Sequence, residues 1–93
     1  MTINIENARM LAEAGTEMSY YKRWTEMRLY FLPEMPAGGQ RYVLEIAACS
    51  KVEGETTRTR RHASATLEGA LAYLGDSEAG RLFKLQAREA EER

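Results

Sequence analysis

Hydrophobic residues recur at helical spacing in the first fifteen residues of the chain. The apolar positions lie three or four residues apart, at Ile5, Ala8, Leu11 and Ala12. Asn4 is a favourable N-cap and Gly15 a favourable terminator, so the pattern predicts a helix that ends near Gly15. The same phase continues through Met18 and Tyr21, and a single helix that reaches about Arg23 is the alternative.

From Glu26 to Leu32 the pattern changes to strict alternation, which is typical of a strand. One face carries Met27, Leu29 and Phe31, and the other carries Arg28, Tyr30 and Leu32. Pro33 ends this strand because proline cannot donate a backbone hydrogen bond. The segment Pro33–Gln40 holds both prolines of the chain and is predicted to be a loop.

The next two strands are predicted to form a hairpin. Arg41–Val52 is rich in β-forming residues at its start, and Glu55–His62 alternates threonine with arginine. Glu53 and Gly54 form the two-residue turn between them. The predicted core face of the sheet combines two rows: Met27, Leu29 and Phe31 with Tyr42, Leu44, Ile46 and Ala48.

The predicted turn fixes the register of this hairpin by placing Val52 opposite Glu55. Counting outward pairs Cys49 with Arg58, Ala47 with Arg60 and Glu45 with His62. The outward face then interleaves basic and aromatic side chains, and its members are Arg28, Tyr30, Leu32, Val43, Glu45, Arg58, Arg60 and His62. A shift of one residue in register would reverse every assignment.

Two helices are predicted after the hairpin. The first begins at Ser64 or Thr66, ends near Gly75 and carries Leu67, Ala70, Leu71 and Leu74 on one face. The second begins at Asp76 or Ser77 and carries Ala79, Leu82, Phe83 and Gln86. Residues 88–93 have mixed charge and are expected to fray. The expected fold is a single α+β domain over residues 1–93, with a three-stranded antiparallel sheet and the order α-β-β-β-α-α.

The charges are segregated along the chain although the net charge is only −1. Residues 19–63 carry eight basic and five acidic residues, a net charge of +3, whereas residues 1–18 and 64–93 each carry −2. A basic sheet between acidic flanks is suited to a phosphate backbone or an acidic protein surface. The alternative is that the charges keep edge strands from aggregating.

The sequence contains no recognisable catalytic set. One cysteine and one histidine cannot supply a disulfide or a zinc site, and the predicted register separates Cys49 from His62 by roughly 13 Å. No phosphate-binding glycine loop or nucleophile elbow occurs. We therefore expect no enzyme activity, no cofactor and no metal. The apolar stretches are too short to cross a membrane and no secretion signal is present, which predicts a cytoplasmic protein.

The candidate binding residues fall in two basic segments, Lys22–Arg28 and Arg58–His62. They are Lys22, Arg23, Trp24, Arg28, Tyr30, Arg58, Arg60 and His62. Trp24 and the pair Tyr20–Tyr21, beside two cations, are suited to stacking or docking, because aromatic residues and arginine dominate binding hot spots. The structural alternative is that Trp24 only leads the chain into the first strand.

In size, compact α+β layout and mixed charge, the chain resembles small phage-encoded inhibitors of bacterial immunity, the anti-CRISPR group. The resemblance covers the whole chain in outline and involves no shared motif. It implies docking on a protein complex that handles nucleic acid, where the arginines would contact RNA-binding grooves or acidic protein patches.

Two other functions remain open. The order α-β-β-β-α also resembles double-stranded-RNA-binding domains, but Ser64–Glu68 has no lysine where that family has a lysine cluster. Direct nucleic-acid binding would then use a sheet face, with Arg58 and Arg60 on phosphates. The third function is a homo-oligomeric accessory protein, such as a homodimer, in which an apolar patch of Tyr30, Leu32 and Val43 is covered.

Overall fold

The computed structural model describes residues 8–33, 39–75 and 77–92. Its elements are β1 (Arg9–Gly15), β2 (Arg23–Phe31), β3 (Tyr42–Ser50), β4 (Arg58–Ser64), α1 (Leu67–Leu71) and α2 (Glu78–Glu91). The strands form one antiparallel sheet in the order β1-β2-β3-β4. The α+β class is confirmed. The predictions of a three-stranded sheet and of the order α-β-β-β-α-α are wrong, because the first described element is a strand.

A β-bulge explains why the first apolar segment has helical spacing and is nevertheless a strand. The register of β1 against β2 shifts between Met10 and Ala12. A bulge places two successive residues on the same side of a sheet, and Leu11 and Ala12 are both buried in the core. The longer-helix alternative is also wrong, since residues 16–22 connect β1 to β2. Asn4 and Ile5 lie outside the described residues.

The core lies between one face of the sheet and the two helices. Phe83, Leu29 and Leu44 are fully buried in it, and the predicted core face of β2 and β3 is confirmed apart from the exposed Ala48. Helix α2 packs on β1, whereas α1 packs on β3 and β4. The predicted inner face of α2 is partly wrong, because Leu82 is 61% exposed and Ala87 is buried instead.

Both helices begin at a capping side chain. The Thr66 hydroxyl accepts from the Gly69 amide at 3.0 Å, and the Ser77 hydroxyl accepts from the Gly80 amide at 3.1 Å. Of the predicted N-cap pairs, the structure therefore uses the second residue each time. A salt bridge of 2.7 Å from Arg88 to Glu68 connects the helices, and α2 continues to Glu91.

The β3–β4 register differs by one residue from the predicted register. The observed pairs are Ala48 with Arg58, Ile46 with Arg60, Glu45 with Arg61 and Leu44 with His62. The predicted turn at Glu53 and Gly54 is present, since Glu55 N donates to Val52 O at 3.1 Å and Gly54 has a φ of +86°. The strands do not begin directly at this turn, because β3 ends at Ser50 and β4 begins at Arg58, and the pairing shifts by one residue in between. The face assignments of Arg58, Arg60 and His62 are therefore wrong. These side chains lie on the helix side of the sheet, and the opposite side is called the open face below.

Candidate binding surface

The open face carries a row of alternating charges that crosses all four strands. Glu13, Arg28, Glu45 and Arg61 are direct neighbours in the three strand pairings, and we call this row the charge ladder. Arg28 Nε lies 2.8 Å from Glu13, and Arg61 Nε lies 2.8 Å from Glu45. A 3.5 Å contact between Arg28 and Glu45 joins the two halves. The ladder gives Arg28 a carboxylate on either side, so this face is not the basic surface predicted from the sequence.

The apolar patch predicted on the same face is smaller than expected. Val43 is fully buried, and Tyr30 and Leu32 are half-buried. Burial raises the pKa of the Tyr30 hydroxyl, and the neighbouring Glu45 raises it further. The patch on which the homo-oligomer hypothesis depends is therefore reduced to the half-buried Tyr30 and Leu32.

Residues from both predicted basic segments meet in an open groove at one end of the sheet. This loop-end groove has a volume of about 410 Å³. Its lining includes Thr16, Ser19, Arg23, Trp24, Cys49 and Arg58. Three of the candidate binding residues, Arg23, Trp24 and Arg58, thus lie together although 35 positions separate the outer two in the sequence.

The loop from Thr16 to Lys22, called the tyrosine loop, borders this groove. Tyr20 is 93% exposed and Tyr21 is 69% exposed, and their rings meet edge to face at 5.5 Å. Backbone hydrogen bonds hold the loop: Ser19 N to Arg23 O at 2.8 Å, and Lys22 N to Ser19 O at 2.9 Å. Lys22 has a φ of +62°, a strained conformation for a residue other than glycine. The loop therefore presents two aromatic rings on a defined backbone.

Arg23 and Trp24 both have polar partners inside the protein. The Arg23 guanidinium forms an ion pair with Glu55, which lowers the pKa of that carboxyl. The Trp24 indole N–H donates to Glu26 at 3.3 Å, and its half-buried ring also borders a smaller recess of about 260 Å³ with Lys51. Arg23 therefore stabilises the β3–β4 connection, while Trp24 offers part of its ring to the surface.

The three remaining candidates lie on β4. Arg58 and Arg60 are exposed, and neither forms a salt bridge with any residue that the structure describes. The ring of His62 stacks on Tyr73 at 4.0 Å, with 13° between the planes. The predicted pairing of His62 with Glu45 is wrong, because Arg61 occupies that position. Among the candidate arginines, Arg58 and Arg60 are consequently the two whose charge is available to a partner, since Arg23 and Arg28 are in ion pairs.

Cys49 has the surroundings of a structural residue. Its side chain is buried, and burial raises the pKa of the thiol, with Glu26 adding to the effect. Its place on the open face separates it from His62 on the helix side. The raised pKa lowers the amount of thiolate, and with 7% exposure Cys49 offers only a small part of its surface to the loop-end groove.

We expect iodoacetamide to alkylate Cys49 at least about tenfold more slowly in the native protein than in the urea-unfolded protein at pH 8, because burial raises the pKa of the native thiol and restricts access to it. Mass spectrometry of the modified fraction over time measures this ratio. Equal rates in the two states would contradict the assignment of Cys49 as a buried structural residue.

Comparison of the chain with protein-family models, curated proteins and solved structures finds no match. Within residues 8–33, 39–75 and 77–92, no three His, Cys, Asp or Glu side chains are placed to hold a metal. No helix in the same part of the chain has the length and apolar character needed to cross a membrane. The candidate function therefore rests on the geometry of the loop-end groove, the tyrosine loop and β4.

Sequence reasoning missed the charge ladder. The helical spacing places Glu13 in a helix, and the predicted register pairs Arg61 with Ile46 on the core face, whereas the structure places them beside Arg28 and Glu45. The signal that could have revealed the ladder is that each strand carries one of its four charged residues, with the sign alternating from strand to strand. Using that signal requires the register of all four strands, which the sequence pattern left unsettled.

Proposed function

We propose that this chain is a non-catalytic binding protein that docks on another protein or on a protein–nucleic-acid complex. The observation that carries the proposal is the exposure of two adjacent aromatic rings, Tyr20 and Tyr21, on a hydrogen-bonded loop beside the loop-end groove. Tyrosine, tryptophan and arginine dominate the energetics of protein interfaces, and Trp24 and Arg58 line the same groove. A loop held in place before binding loses less conformational entropy when a partner arrives.

The charges around the groove favour a protein partner over bare nucleic acid. Lys22, Lys51 and Arg58 are exposed in this part of the chain, and so are Glu17 and Glu53. A phosphate backbone requires a continuous basic stripe, whereas a protein surface can pair with both signs. The mixed charges therefore support the first proposal.

The tyrosine loop provides the direct test. We expect Tyr20→Ala with Tyr21→Ala to remove partner capture from a bacterial lysate, because two aromatic hot-spot residues together contribute several kcal/mol to binding, about 2 kcal/mol or more each. The free energy of unfolding should change by less than about 0.5 kcal/mol, since both side chains are exposed. Affinity capture and urea unfolding measure the two effects.

The matched control is Leu82→Ala with Leu85→Ala, which removes two exposed apolar side chains from α2. This control should retain capture. Retained capture by the tyrosine variant, or its loss in both variants, would reject the tyrosine loop as the docking site.

Direct nucleic-acid binding is the second candidate, favoured by the two exposed arginines Arg58 and Arg60. Light scattering of the pure protein with mixed RNA and DNA duplexes, at low and moderate salt, distinguishes it from protein docking. A salt-sensitive complex that survives the tyrosine substitutions would favour this candidate, because phosphate binding releases counterions.

We also propose, as the narrower form of the first function, an inhibitor of a CRISPR-type machine of the anti-CRISPR kind. It is supported by the small α+β domain and by a surface that combines aromatic rings with both signs of charge. Adding a CRISPR effector complex to the same capture experiment tests this form. Retention on the wild type and loss on the tyrosine variant is the supporting result.

A further inference from the structure

The outer edge of β4 exposes a defined set of backbone groups. In an antiparallel ladder, successive residues direct their N–H and C=O groups to opposite sides of the strand. Leu32 N donates to Arg41 O at 2.8 Å, so odd-numbered residues of β3 face β2 and even-numbered residues face β4. The even-numbered residues of β4 therefore bond to β3. The backbone groups of Thr59, Arg61 and Ala63 point away from the sheet.

The two edge strands of the sheet, β1 and β4, differ in whether their outward backbone groups have hydrogen-bond partners. At β1, the outward amide of Glu13 donates to the side chain of Gln86 on α2 at 3.3 Å, and the helix packs on this strand. At β4, no residue in the described ranges forms a hydrogen bond with the outward groups of Thr59, Arg61 or Ala63. The free edge of the sheet is thus β4.

The side chains of β4 define which strand this edge can accept. Arg58 and Arg60 are exposed on the helix side, two residues apart, and Arg61 on the open face is already paired with Glu45. Two copies of β4 paired in antiparallel fashion would bring arginines close to one another, which is unfavourable. Carboxylates at alternate positions of an added strand would instead face Arg58 and Arg60.

We infer that the free edge of β4 binds an extended acidic segment of the partner protein, which adds to the sheet as a fifth strand. Backbone hydrogen bonds to Thr59, Arg61 and Ala63 provide affinity, and acidic side chains two residues apart on Arg58 and Arg60 provide selectivity. This inference rests on the proposed protein-docking function and specifies how the β4 side of the groove is used. Its test is therefore separate from that of the tyrosine loop.

The probe is a fluorescein-labelled peptide of alternating glutamate and valine, about ten residues long, so that it spans the seven residues of β4. Anisotropy should show binding to the wild type. Arg58→Glu with Arg60→Glu should weaken binding at least about tenfold, because the variant replaces attraction with repulsion. The charge-matched control, Arg9→Glu with Arg81→Glu, changes two exposed arginines on other elements and should bind like the wild type.

A backbone variant separates strand addition from simple charge attraction. Thr59→Pro removes an outward N–H while leaving the bonds to β3 in place, and proline is tolerated on edge strands. It should abolish peptide binding, whereas Thr59→Ala, which keeps the N–H, should not. Hydrogen exchange on the wild type gives independent evidence: the amides of Thr59, Arg61 and Ala63 should become protected when the peptide binds.

Four results would overturn the inference. The first is the absence of peptide binding to the wild type, and the second is binding that Thr59→Pro does not weaken and that leaves the three amides unprotected. The third is a dimer in light scattering that depends on β4. The fourth is displacement of the peptide by a single-stranded oligonucleotide that binds the wild type and Thr59→Pro equally well. None of these results changes the outcome expected in the capture experiment on Tyr20 and Tyr21, so the docking function is tested separately.

Discussion

Phe83→Ala is expected to lower the free energy of unfolding by about 3–5 kcal/mol, the usual cost of emptying a fully buried phenylalanine site. Phe83 is completely buried on α2, in the same cluster as Leu29 and Leu44. Because a domain of this kind has a total stability of roughly 5–15 kcal/mol, the variant should lose a large fraction of it. Urea denaturation followed by circular dichroism measures the change.

The neighbouring Leu82 supplies the control on the same helix. Its side chain is 61% exposed, so Leu82→Ala should change the free energy of unfolding by no more than about 0.5 kcal/mol. Similar losses in the two variants would mean that α2 does not pack with the observed face towards β1.

Glu45→Ala is the second substitution with a large expected effect, a loss of about 2–3 kcal/mol in the free energy of unfolding. Glu45 is the one carboxylate of the charge ladder that bonds two strands at once, and its side chain is only 10% exposed. Its removal leaves Arg28 and Arg61 without their shared partner. Both guanidinium groups keep some contact with water, so the loss should lie below the 3–5 kcal/mol typical of a fully buried pair.

A double-mutant cycle with Arg61→Ala isolates this contact, and thermal or urea unfolding supplies the four free energies. The matched control is Glu68→Ala, which breaks the exposed salt bridge to Arg88 and should cost less than about 1 kcal/mol. A loss at Glu45 no larger than the loss at Glu68 would show that the charge ladder contributes little to stability.

The hydrophobic pattern was sufficient to identify elements whose structure depends on the residues within the element itself. The alternation around Leu29 and the apolar spacing around Leu67 identified β2, β3 and both helices, including the caps Thr66 and Ser77 among two alternatives each. Each of these elements buries an apolar face, and the spacing of its apolar residues along the chain distinguishes a helix from a strand.

The candidate site was only partly predictable. Trp24, Arg23 and Arg58 were named from residue type, and the structure brings them into one groove. The faces of Arg58 and Arg60 were misassigned because face depends on register, and an error of one residue reverses it. The exposure of Tyr20 and Tyr21 depends on the hydrogen bonds of the tyrosine loop, which hydrophobic periodicity does not encode.

The α+β class, the core face of β2 and β3, and the residue types available for binding all follow from the sequence pattern. The pairing of residues 9–15 with β2 emerges only in the folded chain, because the bulge at Leu11 gives this strand an apolar spacing like that of a helix. The β3–β4 register also differs by one residue from the count that the turn alone gives, and the connection between these strands makes contacts outside the hairpin, the Arg23–Glu55 ion pair and the Lys51 N–Lys22 O bond of 2.9 Å. The spacing of apolar residues depends on which face of a single element is buried. The register of a strand depends instead on the partner strands, which lie far away in the sequence.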